Sequence, residues 1–133
     1  MQFGKCGIKN LLGEENMDNL ILDKSKAFAI RIINLYKHLN EEKREYILSK
    51  QLLRSGTSIG ANCREAARGQ SKADFVAKMN IALKEADETA YWLELLYATD
   101  FVTQVQFQSI YNDAEELIKL LVSIIKTAKQ NNS

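Results

Sequence analysis

Residues 64–75 read Arg-Glu-Ala-Ala-Arg-Gly-Gln-Ser-Lys-Ala-Asp-Phe, and this stretch ends one helix and begins the next. Gly69 is expected to supply a left-handed C-terminal stop. Ser71-Lys72-Ala73-Asp74 then forms a capping box, in which hydroxyl and carboxylate satisfy reciprocal orphan amides. Downstream, a helix from about Lys72 to Ala98 places Phe75, Met79, Ala82, Ala86, Ala90, Leu93 and Tyr97 on one face. Upstream, a helix from about Glu41 to Ala67 carries the stripe Leu48, Leu52, Ser55, Ile59, Asn62 and Ala66. Asn40 reads as its N-cap, with Glu41 and Glu42 in the favourable first turn.

Two outer helices complete the pattern. From Leu20 onward Ile21, Ser25, Phe28, Ile32, Leu35 and Leu39 recur at helical spacing, widened by Ile33 and Tyr36. Thr103-Gln104-Val105-Gln106 is a second capping box. Phe107, Ile110, Ala114, Leu117, Leu121, Ile124 and Ala128 follow it, with Tyr111, Ile118 and Ile125 as a second row. Residues 1–19 carry Gly4, Gly7 and Gly13 and no sustained period, which predicts a partly flexible arm. The bundle spans 20–129, and the tail 130–133 should fray. Four helices with connections of about two to six residues must alternate in direction, giving an all-α, antiparallel up-down-up-down four-helix bundle. The apolar faces of the first and last helices are wider than one bundle core needs. On a small protein such surplus means a partner helix, most economically from another copy of the chain.

Composition agrees and excludes several classes. The chain has 133 residues, 46% hydrophobic and 26% charged, no Pro and six Gly. Eighteen Lys and Arg against seventeen Asp and Glu leave a net charge of +1, too little for a dedicated duplex binder. The charge is uneven: residues 1–71 hold twelve basic and eight acidic residues, whereas 72–100 hold three and six. No apolar run approaches the ~20 residues of a membrane span. Two Cys cannot build a disulfide framework, so a cytoplasmic location is expected.

The chemistry-bearing residues point to binding or packing. Gly56 and Gly60 stand four apart inside a helix, each costing about 1 kcal/mol relative to Ala. Close approach of another backbone explains them, with Ala82 and Ala86 of the third helix at about matching height. No Lys-Ser or Lys-Thr pair ends the stretch as a phosphate loop requires. Ser58, Asn62 and Glu65 line one edge, with Asn62 on the core stripe as a register-setting anchor or a pocket group. Glu85, Asp87, Glu88 and Glu94 cluster on the third helix, but there is one His and no Glu-x-x-His pair for a di-metal site. Nothing ties Cys63 to His38 as a thiolate dyad. No metal, cofactor or catalytic residue is therefore expected. Arg64, Arg68 and Lys72 form a candidate phosphate-contacting patch, unless they merely complement a helix end and the acids of the third helix.

The runs Leu53 to Asn62, Arg64-Glu65-Ala66, Gln70 to Phe75, Ile81 to Ala86, Glu88-Thr89 and Tyr91 to Leu96, with Ile21 to Ser25, resemble a bacterial four-helix bundle family. That family was first known from open reading frames in 23S ribosomal RNA intervening sequences. The resemblance covers about residues 20 to 127. It implies a homopentamer with no established enzymatic activity, possessing Ser58, Asn62, Glu65, Asp74, Phe75, Glu85 and Glu88 as pattern positions. The chain is similar also to the pentameric accessory variability proteins of retroelements, which bind a reverse transcriptase and nucleic acid. Two readings of function follow. One is a non-enzymatic oligomeric scaffold associated with ribosomal RNA or a nucleic-acid-handling partner. The other is an accessory subunit of a reverse transcriptase or other RNA enzyme.

Overall fold

The computed structural model describes residues 12–131, with the backbone alone for 12–16. It contains four helices: α1 (Leu12–Glu41), α2 (Leu48–Ala67), α3 (Lys72–Ala98) and α4 (Gln104–Gln130). No strand occurs among the described residues. Each helix packs on its neighbours in sequence, and α1 also packs on α4, so the four close into a ring with α1 and α3 at opposite corners. Residue numbers rise along one helix and fall along its neighbour at these contacts. Ser55 meets Thr89 and Glu65 meets Lys78, while Arg31 meets Asp113 and Lys24 meets Glu116.

The core is built from the expected stripes. Ile21, Phe28, Ile32 and Leu39 of α1 are buried, as are Leu52 and Ile59 of α2. Met79, Ala82, Ala86 and Leu93 of α3 join Ala114, Leu117 and Leu121 of α4 in the same buried cluster. α2 and α3 share the most extensive contact of any helix pair, with Ala82 and Ala86 of α3 fully buried.

Several boundaries differ from the sequence reading, each for a physical reason. α1 begins at Leu12, eight residues before Leu20, because Met17 packs against the core and Asp18 is buried, carrying the stripe one turn further back. Residues 1–11 of the arm expected over 1–19, and the tail residues 132–133, lie outside the described residues. α2 begins at Leu48, not Glu41. Asn40 sits in the last turn of α1, where its amide donates to the Tyr36 carbonyl at 2.9 Å and to Ser49 Oγ at 3.1 Å. The capping role falls to Glu45, whose buried carboxylate accepts from the amides of Ile47, Leu48 and Ser49 at 3.1, 2.9 and 2.7 Å. One carboxylate thus satisfies three of the four orphan donors and places negative charge at the positive pole of α2.

The turn at 68–71 also departs from expectation. Gly69 is not left-handed; α2 ends through Arg68 at φ −103° and ψ 12°. A Cβ on Gly69 would stand 3.2 Å from the Ala66 carbonyl, so the position requires space rather than handedness. The left-handed residues are Arg44 and Asp100, at φ 55° and 68°, in the other two turns. Ser71 Oγ accepts from the Asp74 amide at 3.1 Å, but the reciprocal half of that box is missing, while the Thr103–Gln106 box is complete. The surplus apolar width stays on α1, as expected, and appears on α3 as well, while much of that on α4 is taken up by the core. Ile125 of α4 is buried and Tyr111 and Ile118 pack on the core, so the second row of α4 is largely used by the chain itself. α1 keeps Ile30 and Ile33 exposed, and α3 exposes Ile81 and Tyr91.

Candidate functional site

The two edges of α2 carry the stretch Arg54 to Gln70. Toward α1 the helix is bare. A Cβ on Gly56 would lie 2.8 Å from both Cγ1 and Cγ2 of Ile32, and one on Gly60 would lie 3.2 Å from Ser25 Oγ. The glycines therefore face α1, and not Ala82 and Ala86 of α3 as the sequence suggested. Cys63 shares this seam, with its thiol hydrogen-bonded to Ser25 and pushed by burial up to about 12. It takes the buried place expected for Asn62, one residue of helical rotation away. Ser25 lies thirteen residues before His38 on α1, about 20 Å at the helical rise, so no Cys63–His38 dyad is assembled.

Toward α3 the same helix is polar. Ser55 and Thr89 are both fully buried, and the Thr89 hydroxyl lies 2.8 Å from Ser55 Oγ and 2.7 Å from the Glu85 carbonyl. Outside this pair, the Arg54 guanidinium reaches Glu85 at 3.3 Å, Gln51 at 3.4 Å and also Glu88. The Trp92 indole N–H donates to the same Glu88 carboxylate at 3.0 Å. Glu85 and Glu88 are thus held by a cation from the facing helix. The sequence reading missed Arg54 and Trp92. The signal was there: Glu85, Glu88 and Trp92 are three and four residues apart, on the α3 edge that meets α2.

The expected polar edge does not form a shared network. Ser58 Oγ donates to the Arg54 carbonyl at 2.7 Å, and the Asn62 amide donates to the Ser58 carbonyl at 2.9 Å. Both bonds stay within α2, and Asn62 is half-buried. Glu65 pairs with Lys78 of α3 at 2.9 Å, which raises the Lys78 pKa through that hydrogen bond and the attraction of the carboxylate. Asp74 is exposed in the first turn of α3.

The basic residues divide. Lys72 Nζ donates to the Asn131 carbonyl at 2.5 Å and so ties the start of α3 to the end of α4. Arg64 and Arg68 are exposed, and neither guanidinium has a partner among the described residues. They stand one turn apart at the end of α2, where like charges repel by a few tenths of a kcal/mol. Among the described residues no group of three or more His, Cys, Asp or Glu could hold a metal ion. No helix there is long and apolar enough to cross a membrane.

The sequence profile of the family described as 23S rRNA-intervening sequence protein matches residues 17–123. The fold is similar to a crystal structure from Bacteroides thetaiotaomicron, of a protein of unknown function from the S23 ribosomal protein family. The two share 62% identity, with a TM-score of 0.82, over 83% of this chain and 98% of the other. No curated protein matches this chain.

Proposed function

Because the chain belongs to the 23S rRNA-intervening sequence protein family, we propose that it is a non-enzymatic, homo-oligomeric scaffold that meets ribosomal RNA or a nucleic-acid-handling partner in the cytoplasm. Its bundle is antiparallel and up-down-up-down, a reading supported by the opposed numbering of every cross-helix pair, such as Ser55 with Thr89 and Glu65 with Lys78. Five copies is the number expected from the family resemblance.

The observation that carries this reading is where unsatisfied groups remain. The polar side chains of the α2–α3 seam answer one another, and Cys63 is held as an inert neutral thiol. Beside the buried His38 Nε2, which has no partner among the described residues, the groups left unanswered include apolar surface on the outer sides of α1 and α3 and the guanidiniums of Arg64 and Arg68. That surface and those guanidiniums are the materials of association. Repeating two unpaired arginines around an oligomer raises local potential without changing the net charge per chain.

The RNA arm of the proposal is tested by fluorescence titration of labelled RNA from low to physiological salt. Wild type should bind weakly, with a Kd of about 1–100 μM at physiological salt, and the affinity should fall as salt rises. An Arg64→Glu, Arg68→Glu variant should lose that binding. Absence of wild-type binding at low salt would return both arginines to the role of helix-end cations.

A further inference from the structure

α2 differs from the other three helices on its outer side. α1, α3 and α4 each expose large apolar side chains, such as Ile30, Tyr91 and Val122, whereas no large apolar residue of α2 is exposed. Its charges are sorted as well. The one carboxylate of α2, Glu65, is paired with Lys78 of α3, and Arg54 is turned the same way, to Glu85 and Glu88. Lys50, Arg64 and, at the helix end, Arg68 are exposed and have no partner among the described residues.

Helical phase places these three cations on one side. Lys50 and Arg68 are about five turns apart, and Arg64 stands about one turn before Arg68. Gly56 and Gly60 mark the edge of α2 that meets α1. Arg54 and Glu65, about three turns apart, mark the edge that meets α3. The cations project between those two edges, away from the core.

The surface between them is low. Ala61 is exposed and ends at its methyl group. The Thr57 hydroxyl donates to the Leu53 carbonyl at 2.8 Å and the Ser58 hydroxyl to the Arg54 carbonyl at 2.7 Å. With the Asn62 amide on the Ser58 carbonyl at 2.9 Å, the polar side chains of this stretch fold back along their own helix. Long cationic side chains thus rise at both ends of a floor about 21 Å long from Lys50 to Arg64, and about 27 Å to Arg68.

We infer that the outer side of α2 along its whole length, and not its C-terminal end alone, is the surface on which an RNA strand lies. Lys50 takes a phosphate at one end, Arg64 and Arg68 take phosphates at the other, and the strand between them passes over Thr57 and Ala61. This rests on the RNA-binding reading above and extends it by adding Lys50 and fixing the length of the contact. Charge selects the occupant. A polyanion meets free cations and no free carboxylate on this helix, whereas an apolar partner finds no large exposed side chain to bury.

The test is a titration of the full chain with a labelled RNA of about 12 nucleotides, long enough to span the floor even at the duplex spacing of about 3.4 Å per nucleotide. Lys50→Ala should lower the slope of log affinity against log salt by about 0.7–0.9, the effect of one phosphate contact. Lys119→Ala removes an exposed, unpartnered cation from α4 and should leave the slope unchanged. Ala61→Glu sets a carboxylate in the middle of the floor, at an exposed position, and should weaken binding several-fold. Helical circular dichroism checks that each variant is folded. Binding lost in Arg64→Glu, Arg68→Glu but indifferent to Lys50→Ala and Ala61→Glu would confine the contact to the helix end and overturn the inference, leaving the RNA reading standing. An equal loss of slope in Lys119→Ala would also overturn it, since the attraction would then be spread over the whole surface. A wild type that binds no RNA at low salt would instead remove the RNA reading itself, and this inference with it.

Discussion

The two edges of α2 solve the same packing problem in different ways. Against α1 the helix contributes absence: Gly56 and Gly60 leave space that Ile32 and Ser25 fill. Against α3 it contributes polarity: Ser55 with Thr89 inside, and Arg54 with Glu85 and Glu88 outside. At Gly56 the first seam leaves no room for added atoms, and the second tolerates no unpaired groups. The comparison teaches that one helix can be specified by volume on one side and by hydrogen bonding on the other.

The largest effect is expected at the volume-limited seam. Gly56→Val should destabilise by about 2–3 kcal/mol, since overpacking outweighs the few tenths of a kcal/mol of helix propensity that Val regains over Gly. Denaturant midpoints measure it. Ile32→Ala combined with Gly56→Val should recover part of the loss, and no recovery would place the clash elsewhere.

The next effect belongs to the polar seam. Thr89→Val keeps the shape but leaves buried Ser55 Oγ with only a 3.5 Å contact to the Leu52 carbonyl, a loss of about 1–3 kcal/mol. The double variant Ser55→Ala, Thr89→Val should be more stable than Thr89→Val alone, because no hydroxyl is then stranded. Additive losses would mean that the pair is not coupled.

A smaller effect separates the two glycines. A Cβ on Gly60 would crowd only the Ser25 hydroxyl, at 3.2 Å, a group that can give by a few tenths of an ångström, while the Ser25 backbone stays at ordinary contact, 3.5 Å away. The helix-propensity gain then roughly cancels the crowding, and Gly60→Ala should change stability by less than about 0.5 kcal/mol. A loss as large as that of Gly56→Val would show the whole seam to be equally tight.

At neutral pH the smallest effect is none, and it grows only in alkali. The Cys63 thiol is raised from 9.0 to about 12 by burial, and the Tyr111 hydroxyl from 10.0 to about 12 by its 2.5 Å hydrogen bond to Glu94. Both groups stay protonated in the folded chain after the unfolded chain has begun to ionise. Stability should therefore be flat to about pH 9 and fall from there toward pH 12. Cys63→Ala should delay the onset of that fall to about pH 10, read from melts across the range. An onset unchanged in the variant would mean that Cys63 is not the first group to titrate.

Most of the fold was legible because apolar spacing is a global signal. The stripes of α1 and α4 needed only their period, and the Thr103–Gln106 box is a local motif with a fixed geometry. The start of α2 was not legible, because Asn40-Glu41-Glu42 imitates a helix start while the real cap, Glu45, reaches amides two to four residues ahead. The glycine partner and the Asn62–Cys63 exchange turned on about 100° of helix rotation, finer than a stripe of mixed small and polar residues can fix. The α2–α3 seam was half legible: Glu85 and Glu88 stood out as carboxylates, but their cation, Arg54, lies 31 residues away in sequence from the nearer of them. Outward apolar residues on α3 were hidden by the same richness in Ala and Leu that marks its core face.

Light scattering of the wild-type chain over a range of micromolar concentrations asks most directly whether the outer sides of α1 and α3 are covered by other copies. The expected mass is several times 15.1 kDa, five times if the family resemblance carries through. A single 15.1 kDa species at every concentration would contradict it, and the exposed isoleucines and tyrosine would then need a partner other than the chain itself.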